Sequence, residues 1–97
     1  MNMQKIMAEA RKIQGDMERL TKQIESTTFT YKNDNILIEA LGNNVITKVE
    51  ILNVSILEDK EILEDLIFVG VNNVLEQIKK EKENKLGKYT GGMGGLF

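Results

Sequence analysis

Apolar side chains recur along the first quarter of the chain at alternating steps of three and four residues. The seven positions are Met3, Ile6, Ala10, Ile13, Met17, Leu20 and Ile24. This period of about 3.5 is the a/d spacing of a coiled coil, so it predicts one helix over Met3–Glu25. At ~1.5 Å per residue the helix is roughly 33 Å long, longer than a three-stranded sheet covers. We therefore expect half of it to pack on its own domain and the rest to project as an arm or to pair with a partner.

Three short runs with the alternation of β-strands follow, and polar turns separate them. The predicted strands are residues 27–31, 36–41 and 45–52, with turns at Asn33-Asp34-Asn35 and Gly42-Asn43-Asn44. Runs of this length joined by three-residue polar turns are typical of an antiparallel meander. Strict alternation in the third run assigns Val45, Thr47, Val49 and Ile51 to one face of the sheet.

The last third of the chain predicts a second helix whose character changes along its length. Its start is acidic, its middle is apolar and its end is rich in lysine. Two caps are possible: Ser55, which forms a capping-box pattern with Glu58, or Asp59. We expect the helix to end near Leu86, with Gly87 as its C-terminal cap residue.

The apolar middle of this helix, residues 66–71, is six consecutive apolar or small residues. An amphipathic helix needs only a stripe of such residues, and one small sheet cannot cover every side of a helix. A second copy of the chain is therefore expected to cover the remainder. The predicted dimer interface is Leu66, Ile67, Phe68, Val69, Val71 and Val74.

These elements give an α+β fold class: helix, three-stranded antiparallel sheet and helix in two layers. Residues 1–86 are predicted to form a single domain. Residues 87–97 are predicted to be a flexible tail, because five of these eleven residues are glycine.

The composition leaves little for catalysis. The chain has neither His nor Cys, which removes the commonest general base and the commonest covalent nucleophile. Carboxylates alone, without ligand spacing, do not indicate a metal site. No run approaches the ~18 apolar residues that a membrane span requires, and no signal peptide is recognisable. We expect a cytoplasmic protein with no cofactor, no small-molecule substrate and no membrane partner.

Charge is distributed unevenly, although the net charge is only −2. Basic residues gather near both ends of the chain: Lys5, Arg11, Lys12, Arg19 and Lys22 in the first helix, and Lys79, Lys80, Lys82 and Lys85 in the second. Acidic neighbours on the same helices also allow an ordinary solvated surface with helical ion pairs. If nucleic acid is the partner, the scarcity of aromatic residues favours duplex phosphates over stacked bases.

Several short motifs follow one another in a fixed order between residues 49 and 92. They are Val49-Glu50-Ile51, Leu63-Glu64-Asp65-Leu66-Ile67, Asn72-Asn73-Val74 and Leu86-Gly87-Lys88-Tyr89-Thr90-Gly91-Gly92. Together with Gln4, Lys5 and Met17 in the first helix, their order and spacing resemble those of the YbaB/EbfC nucleoid-associated proteins. The resemblance covers essentially the whole chain.

That resemblance implies a helix, three-stranded sheet and helix in two layers, and a tight, intertwined homodimer shaped like tweezers, with projecting helical arms. It also implies binding of duplex DNA with low sequence preference, a change in DNA shape, nucleoid localisation and no enzymatic activity. Carried over by position, the DNA-binding residues are the nine basic residues named above. The alternative hypothesis is a protein-interaction module, in which the heptad seam of the first helix docks another helix.

Overall fold

The fold was obtained as a computed structural model, which describes residues 2–90. Its elements are helix α1 (Met3–Glu25), strands β1 (Thr28–Lys32), β2 (Ile36–Leu41) and β3 (Val45–Ile51), a 3-10 turn (Val54–Glu58) and helix α2 (Lys60–Thr90). The strands form one antiparallel sheet in the order β1-β2-β3. The predicted α+β class and element order are confirmed, and the predicted bounds of α1 are correct.

The core lies between α2 and the inner face of the sheet. Ile36, Ile38 and Ala40 of β2 are fully buried against Val74 and Ile78 of α2. Helix α2 lies across β1 and β2, and Gln77 Nε2 donates a hydrogen bond of 2.9 Å to the carbonyl oxygen of Thr30. The alternating apolar side chains of β2 thus build the domain.

Strand β3 departs from the predicted alternation. The pairing register shifts between Glu39 and Ala40, so that Ala40 pairs with Ile46 and Glu39 pairs with Lys48. Thr47 is the extra residue of this β-bulge. Val49 and Ile51 therefore share the inner face with β2, but Val45 does not, and the predicted grouping of Val45 with Val49 is wrong.

Asparagine and aspartate side chains fix the turns around the sheet. Asn33 Oδ1 accepts hydrogen bonds from the backbone N–H groups of Asn35 and Ile36, at 2.8 and 2.9 Å. After β3, Asn53 rather than Ser55 caps the 3-10 turn, so the predicted Ser55 helix start is wrong. The Asp59 alternative is confirmed, because Asp59 Oδ1 accepts the N–H of Ile62 at 3.2 Å.

Helix α2 does not end at Gly87. It continues to Thr90, four residues past the predicted end at Leu86. A glycine costs a helix only about 1 kcal/mol relative to alanine, and packing offsets that. Leu86 is 2% exposed although it lies beyond the sheet core, on the part of α2 that extends past Ile78. Residues 91–97 of the predicted tail lie outside the described residues.

Helix α1 packs against α2. Because α1 leads into the sheet and α2 leaves it, the two helices run in opposite directions. The chain measures 69 × 21 × 16 Å, with a radius of gyration of 18.8 Å. A compact domain of this length would have a radius of about 12.5 Å. The predicted projecting arm is confirmed as a feature of the single chain.

Gly42 lies where the arm meets the sheet. A Cβ atom on Gly42 would lie 1.8 Å from the carbonyl oxygen of Ile24, a backbone atom at the end of α1. We expect Gly42→Ala to lower the free energy of unfolding by about 2 kcal/mol or more, since backbone must move to accept the methyl group. The measurement is urea denaturation followed by circular dichroism.

Gly15 provides the control for that variant. A Cβ atom on Gly15 would have nothing within 4 Å, and the residue lies inside α1. Gly15→Ala should therefore leave stability unchanged or raise it by up to about 1 kcal/mol. Equal stability of the two alanine variants would contradict the close approach of Gly42 to α1.

Candidate nucleic-acid interface

All nine basic residues predicted to bind DNA lie on one part of the molecule. Five are on α1, and four are on the segment of α2 that follows Ile78, the last residue of α2 in the sheet core. We call residues 2–25 and 79–90 the arm, and residues 26–78 the body. Eight of the nine side chains are exposed, and Lys82 is half-buried.

Charge separates between these two parts. The arm carries ten basic and six acidic residues, a net charge of +4, whereas the body carries three basic and nine acidic residues, a net charge of −6. The overall −2 is therefore the sum of a positive projection and a negative domain. A polyanion would be attracted to the arm and repelled by the body.

The basic residues of α1 form the more regular surface. Lys5, Lys12 and Arg19 are spaced by seven residues, so they fall on one line along the helix. The start of this helix is capped by Asn2, whose Oδ1 accepts the N–H groups of Gln4 at 3.0 Å and Lys5 at 3.3 Å. The first turn contains no acidic residue, so no carboxylate there competes for Lys5.

Ion pairing removes little of this positive charge. Arg19 Nη1 lies 3.1 Å from Asp16 Oδ1. Within residues 2–90, none of the other eight candidates forms an ion pair, and the remaining pairs, Lys48 with Glu50 and Lys60 with Glu64, are in the body. Arg19 is therefore the α1 candidate least available to a phosphate.

The lysines of α2 are less regular. Lys79, Lys82 and Lys85 follow one another at steps of three, so successive side chains turn by about 60° around the helix. The predicted set omits Lys88, which the longer helix now adds to the arm. Its Nζ lies 4.9 Å from the ring centroid of Tyr89. Lys88 could have been included because it lies three residues after Lys85, but the predicted end of the helix near Leu86 excluded it from the set.

The six predicted interface residues occupy different environments in the single chain. Phe68 and Val69 are 69% and 51% exposed. Leu66, Ile67 and Val71 are half-buried, and Val74 is fully buried in the core. Dimerisation itself stays a prediction, and only Phe68 and Val69 are freely presented to a partner.

Further apolar surface lies along β3 and the 3-10 turn. Val49 pairs with Ile38 and shares its face of the sheet, yet Val49 is 49% exposed while Ile38 is fully buried. The reason is that α2 lies over β1 and β2, so the inner side of β3 is only partly covered. Val54 and Leu57 of the following turn are also exposed.

The described residues contain no cluster of three or more His, Cys, Asp or Glu side chains able to hold a metal ion. An open groove of about 420 Å³ follows α1 and is lined by Gln14, Met17, Glu18, Thr21, Lys22 and Glu25. Its lining supplies no activated nucleophile. Between residues 2 and 90, neither helix is long and apolar enough to cross a membrane.

A model of the YbaB/EbfC DNA-binding family matches residues 1–93. The chain belongs to the YbaB/EbfC DNA-binding family. A nucleoid-associated protein of Lactococcus lactis subsp. lactis is 38% identical over 96 residues, covering 96% of this chain and 97% of the relative. A nucleoid-associated protein of Agathobacter rectalis is 37% identical over 97 residues, covering 97% and 86%.

The fold also occurs in a solved structure. The crystal structure of an uncharacterized protein from Helicobacter pylori superimposes with a TM-score of 0.75 and covers 95% of this chain and 99% of its own. The two sequences are 18% identical, so this likeness concerns the fold alone. Membership of the YbaB/EbfC family favours binding over catalysis, in agreement with the residue inventory.

Proposed function

We propose that this YbaB/EbfC protein is a nucleoid-associated homodimer that binds duplex DNA through backbone phosphates with low sequence preference and alters DNA conformation. Its place of action would be the cytoplasmic nucleoid. The observation that carries this proposal is the separation of charge, with +4 on the arm and −6 on the body. A protein of net charge −2 can approach DNA productively only if it presents the arm.

Low sequence preference is supported by the kind of side chain the arm offers. Eight of its ten basic residues are lysines, and lysine contacts phosphate as a point charge. Phosphate contacts position a protein on a duplex but carry no sequence information. The described aromatic residue of the arm, Tyr89, is half-buried, which does not favour base stacking.

The homodimer is supported by the apolar surface of the body. Phe68, Val69, Val49, Val54 and Leu57 are large apolar residues at 49–74% exposure. Such exposed apolar area is unusual for a small soluble monomer and is typical of an interface. A dimer would hold two positive arms on one duplex, and simultaneous contact by both arms would favour a bent or compacted DNA.

Binding to two unrelated duplexes of equal length should be equal and strongly dependent on salt. If a dimer neutralises roughly six phosphates, its affinity should fall on the order of 10³-fold between 50 and 200 mM salt. The measurement is a fluorescence anisotropy titration of each duplex at four salt concentrations.

A matched polyanion provides the control for this titration. Heparin should compete with the duplex for the arm, whereas dextran, an uncharged polysaccharide, should not. The proposal fails if the protein does not bind either duplex at low salt, or if binding is independent of salt. A large difference between the two duplexes would contradict the low sequence preference alone.

A further inference from the structure

The basic residues of α1 and its apolar a/d seam lie on opposite sides of the helix. With Met3 and Ala10 at heptad position a and Ile6 and Ile13 at d, Lys5, Lys12 and Arg19 fall at position c. Position c lies on the far side of a helix from the a/d seam. A phosphate backbone on the basic side therefore leaves the seam uncovered and directed away from DNA.

The seam is buried at the end of α1 and exposed at its start. Ile24 is 4% exposed, Met17 and Leu20 are half-buried, and Ile13 and Met3 are 46% and 65% exposed. Helix α2 accounts for this difference, since its described part extends about 18 Å past the sheet core, whereas α1 is about 33 Å long. The seam from Met3 to Ile13 has no intramolecular helix partner within residues 2–90.

We infer that the exposed seam of α1 pairs with the same seam on a neighbouring molecule bound beside it, so that binding along a duplex is cooperative. This inference rests on the proposed DNA binding. The strict a/d repeat favours a helix as the occupant, because a helix lying on a sheet has no need of a 3.5-residue period. The occupant is a second copy of α1 in parallel orientation.

Charge beside the seam selects that orientation. Glu9 occupies position g, and Met7 and Gln14 occupy position e. In a parallel pair, g of one helix faces e of the other, which brings Glu9 opposite a neutral amide, Gln14, able to donate a hydrogen bond. An antiparallel pair would bring Glu9 opposite Glu9 of the second copy, and like charges repel. Molecules that bind side by side with their arms on DNA also present their α1 helices in the same direction.

The exposed seam is too small for a permanent interface. It spans three helical turns and five apolar side chains: Met3, Ile6, Met7, Ala10 and Ile13. A stable protein interface buries roughly 1,200–2,000 Å², well above what five side chains from each helix supply. Pairing should therefore be weak in free solution and appreciable when DNA raises the local concentration of arms.

The first test separates cooperativity from intrinsic affinity. Ile6→Gln with Ile13→Gln makes the seam polar without changing charge or the basic side of α1. We expect the variant to bind a duplex that holds one dimer within twofold of the parent. On a duplex several times longer, the Hill coefficient should fall from about 2 to about 1. Ala8→Gln, which adds the same side chain off the seam, should behave as the parent.

The second test uses the absence of cysteine from the chain. Ala10→Cys places one thiol at an a position, where parallel in-register helices bring equivalent residues together. Disulfide formation should be accelerated by a long duplex and not by a short one. In the antiparallel arrangement residue 10 would instead face residue 6 of the second copy, so Ala10→Cys alone would not cross-link.

The outcomes distinguish this inference from the proposed function. Loss of cooperativity in the seam variant, together with cross-linking on long DNA, supports the pairing. DNA binding with a Hill coefficient of 1 in the parent, or with no effect of the seam variant, overturns the pairing and leaves the DNA function standing. Cross-linking that appears only after residues 91–97 are deleted would make the tail the occupant of the seam and would also overturn it. No DNA binding at low salt overturns both.

Discussion

Replacing Lys5, Lys12 and Lys80 with glutamate is expected to abolish detectable binding to duplex DNA. All three side chains are exposed on the arm and form no ion pair within the described residues. The arm charge changes from +4 to −2, so the arm no longer attracts phosphate. Loss of three contacts per chain should lower affinity on the order of 100-fold or more at low salt. Fluorescence anisotropy with the two duplexes described above measures the affinity of the variant.

The body supplies a control with the same change in total charge. Lys32, Lys48 and Lys60 are the three basic residues of the body, and their replacement with glutamate also takes the net charge from −2 to −8. Lys48 and Lys60 form exposed ion pairs, which contribute little to stability. If both triple variants lose binding equally, net charge rather than the arm governs binding, and the assigned interface is wrong.

The same pair of variants separates DNA binding from the protein-interaction alternative. The basic residues lie away from the heptad seam of α1, so reversing their charge leaves Met3, Ile6 and Ile13 unchanged. Binding of a partner helix at the seam would survive in the arm variant. Binding of DNA through phosphate contacts would be lost.

Much of the fold follows from patterns that act over short distances. The bounds of α1 come directly from its apolar repeat and the cap at Asn2. Strand β2 is predictable because its apolar residues alternate, and the structure buries every second one. The start of α2 at Asp59 is predictable because an aspartate before a helical run caps free N–H groups.

The errors arise where distant contacts override local preference. Alternation alone could not locate the β-bulge at Thr47, because a bulge is decided by the register with β2. Gly87 is a good terminator in isolation, but α2 continues through it alongside α1. The apolar run at residues 66–71 is also insufficient by itself. It predicts that more than one side of α2 is covered, but it does not identify the side that packs in the core.

Nine of the ten basic residues of the arm could be named from the sequence, but their grouping on one projection of the molecule could not. Each basic residue has acidic neighbours in sequence, so local charge alone favours a solvated helix surface. Only the fold shows that the two basic segments belong to one projection and that the acidic residues 58–65 belong to the body. The family resemblance led to DNA, and the separation of charge gives that resemblance a physical basis.

Phe68→Asp should convert the proposed dimer into a folded monomer. Phe68 is 69% exposed in the single chain, so its replacement should alter monomer stability by only about 0.5 kcal/mol. In a twofold dimer the change occurs twice, and each copy forfeits roughly 1.5–3 kcal/mol of apolar burial. The dissociation constant should rise on the order of 10³-fold. Sedimentation equilibrium measures the association, and circular dichroism measures the fold.

Two further substitutions make this result interpretable. Phe68→Leu keeps an apolar side chain and should keep the dimer. Val74→Asp places a carboxylate at a fully buried position of the core and should unfold the chain in either association state. A Phe68→Asp variant that remains dimeric would move the interface away from this side of α2, toward the exposed residues Val45 and Val49 of strand β3. A variant that unfolds as Val74→Asp does would mean that the exposed surface around Phe68 is needed for the fold itself, and that folding and dimerisation are coupled.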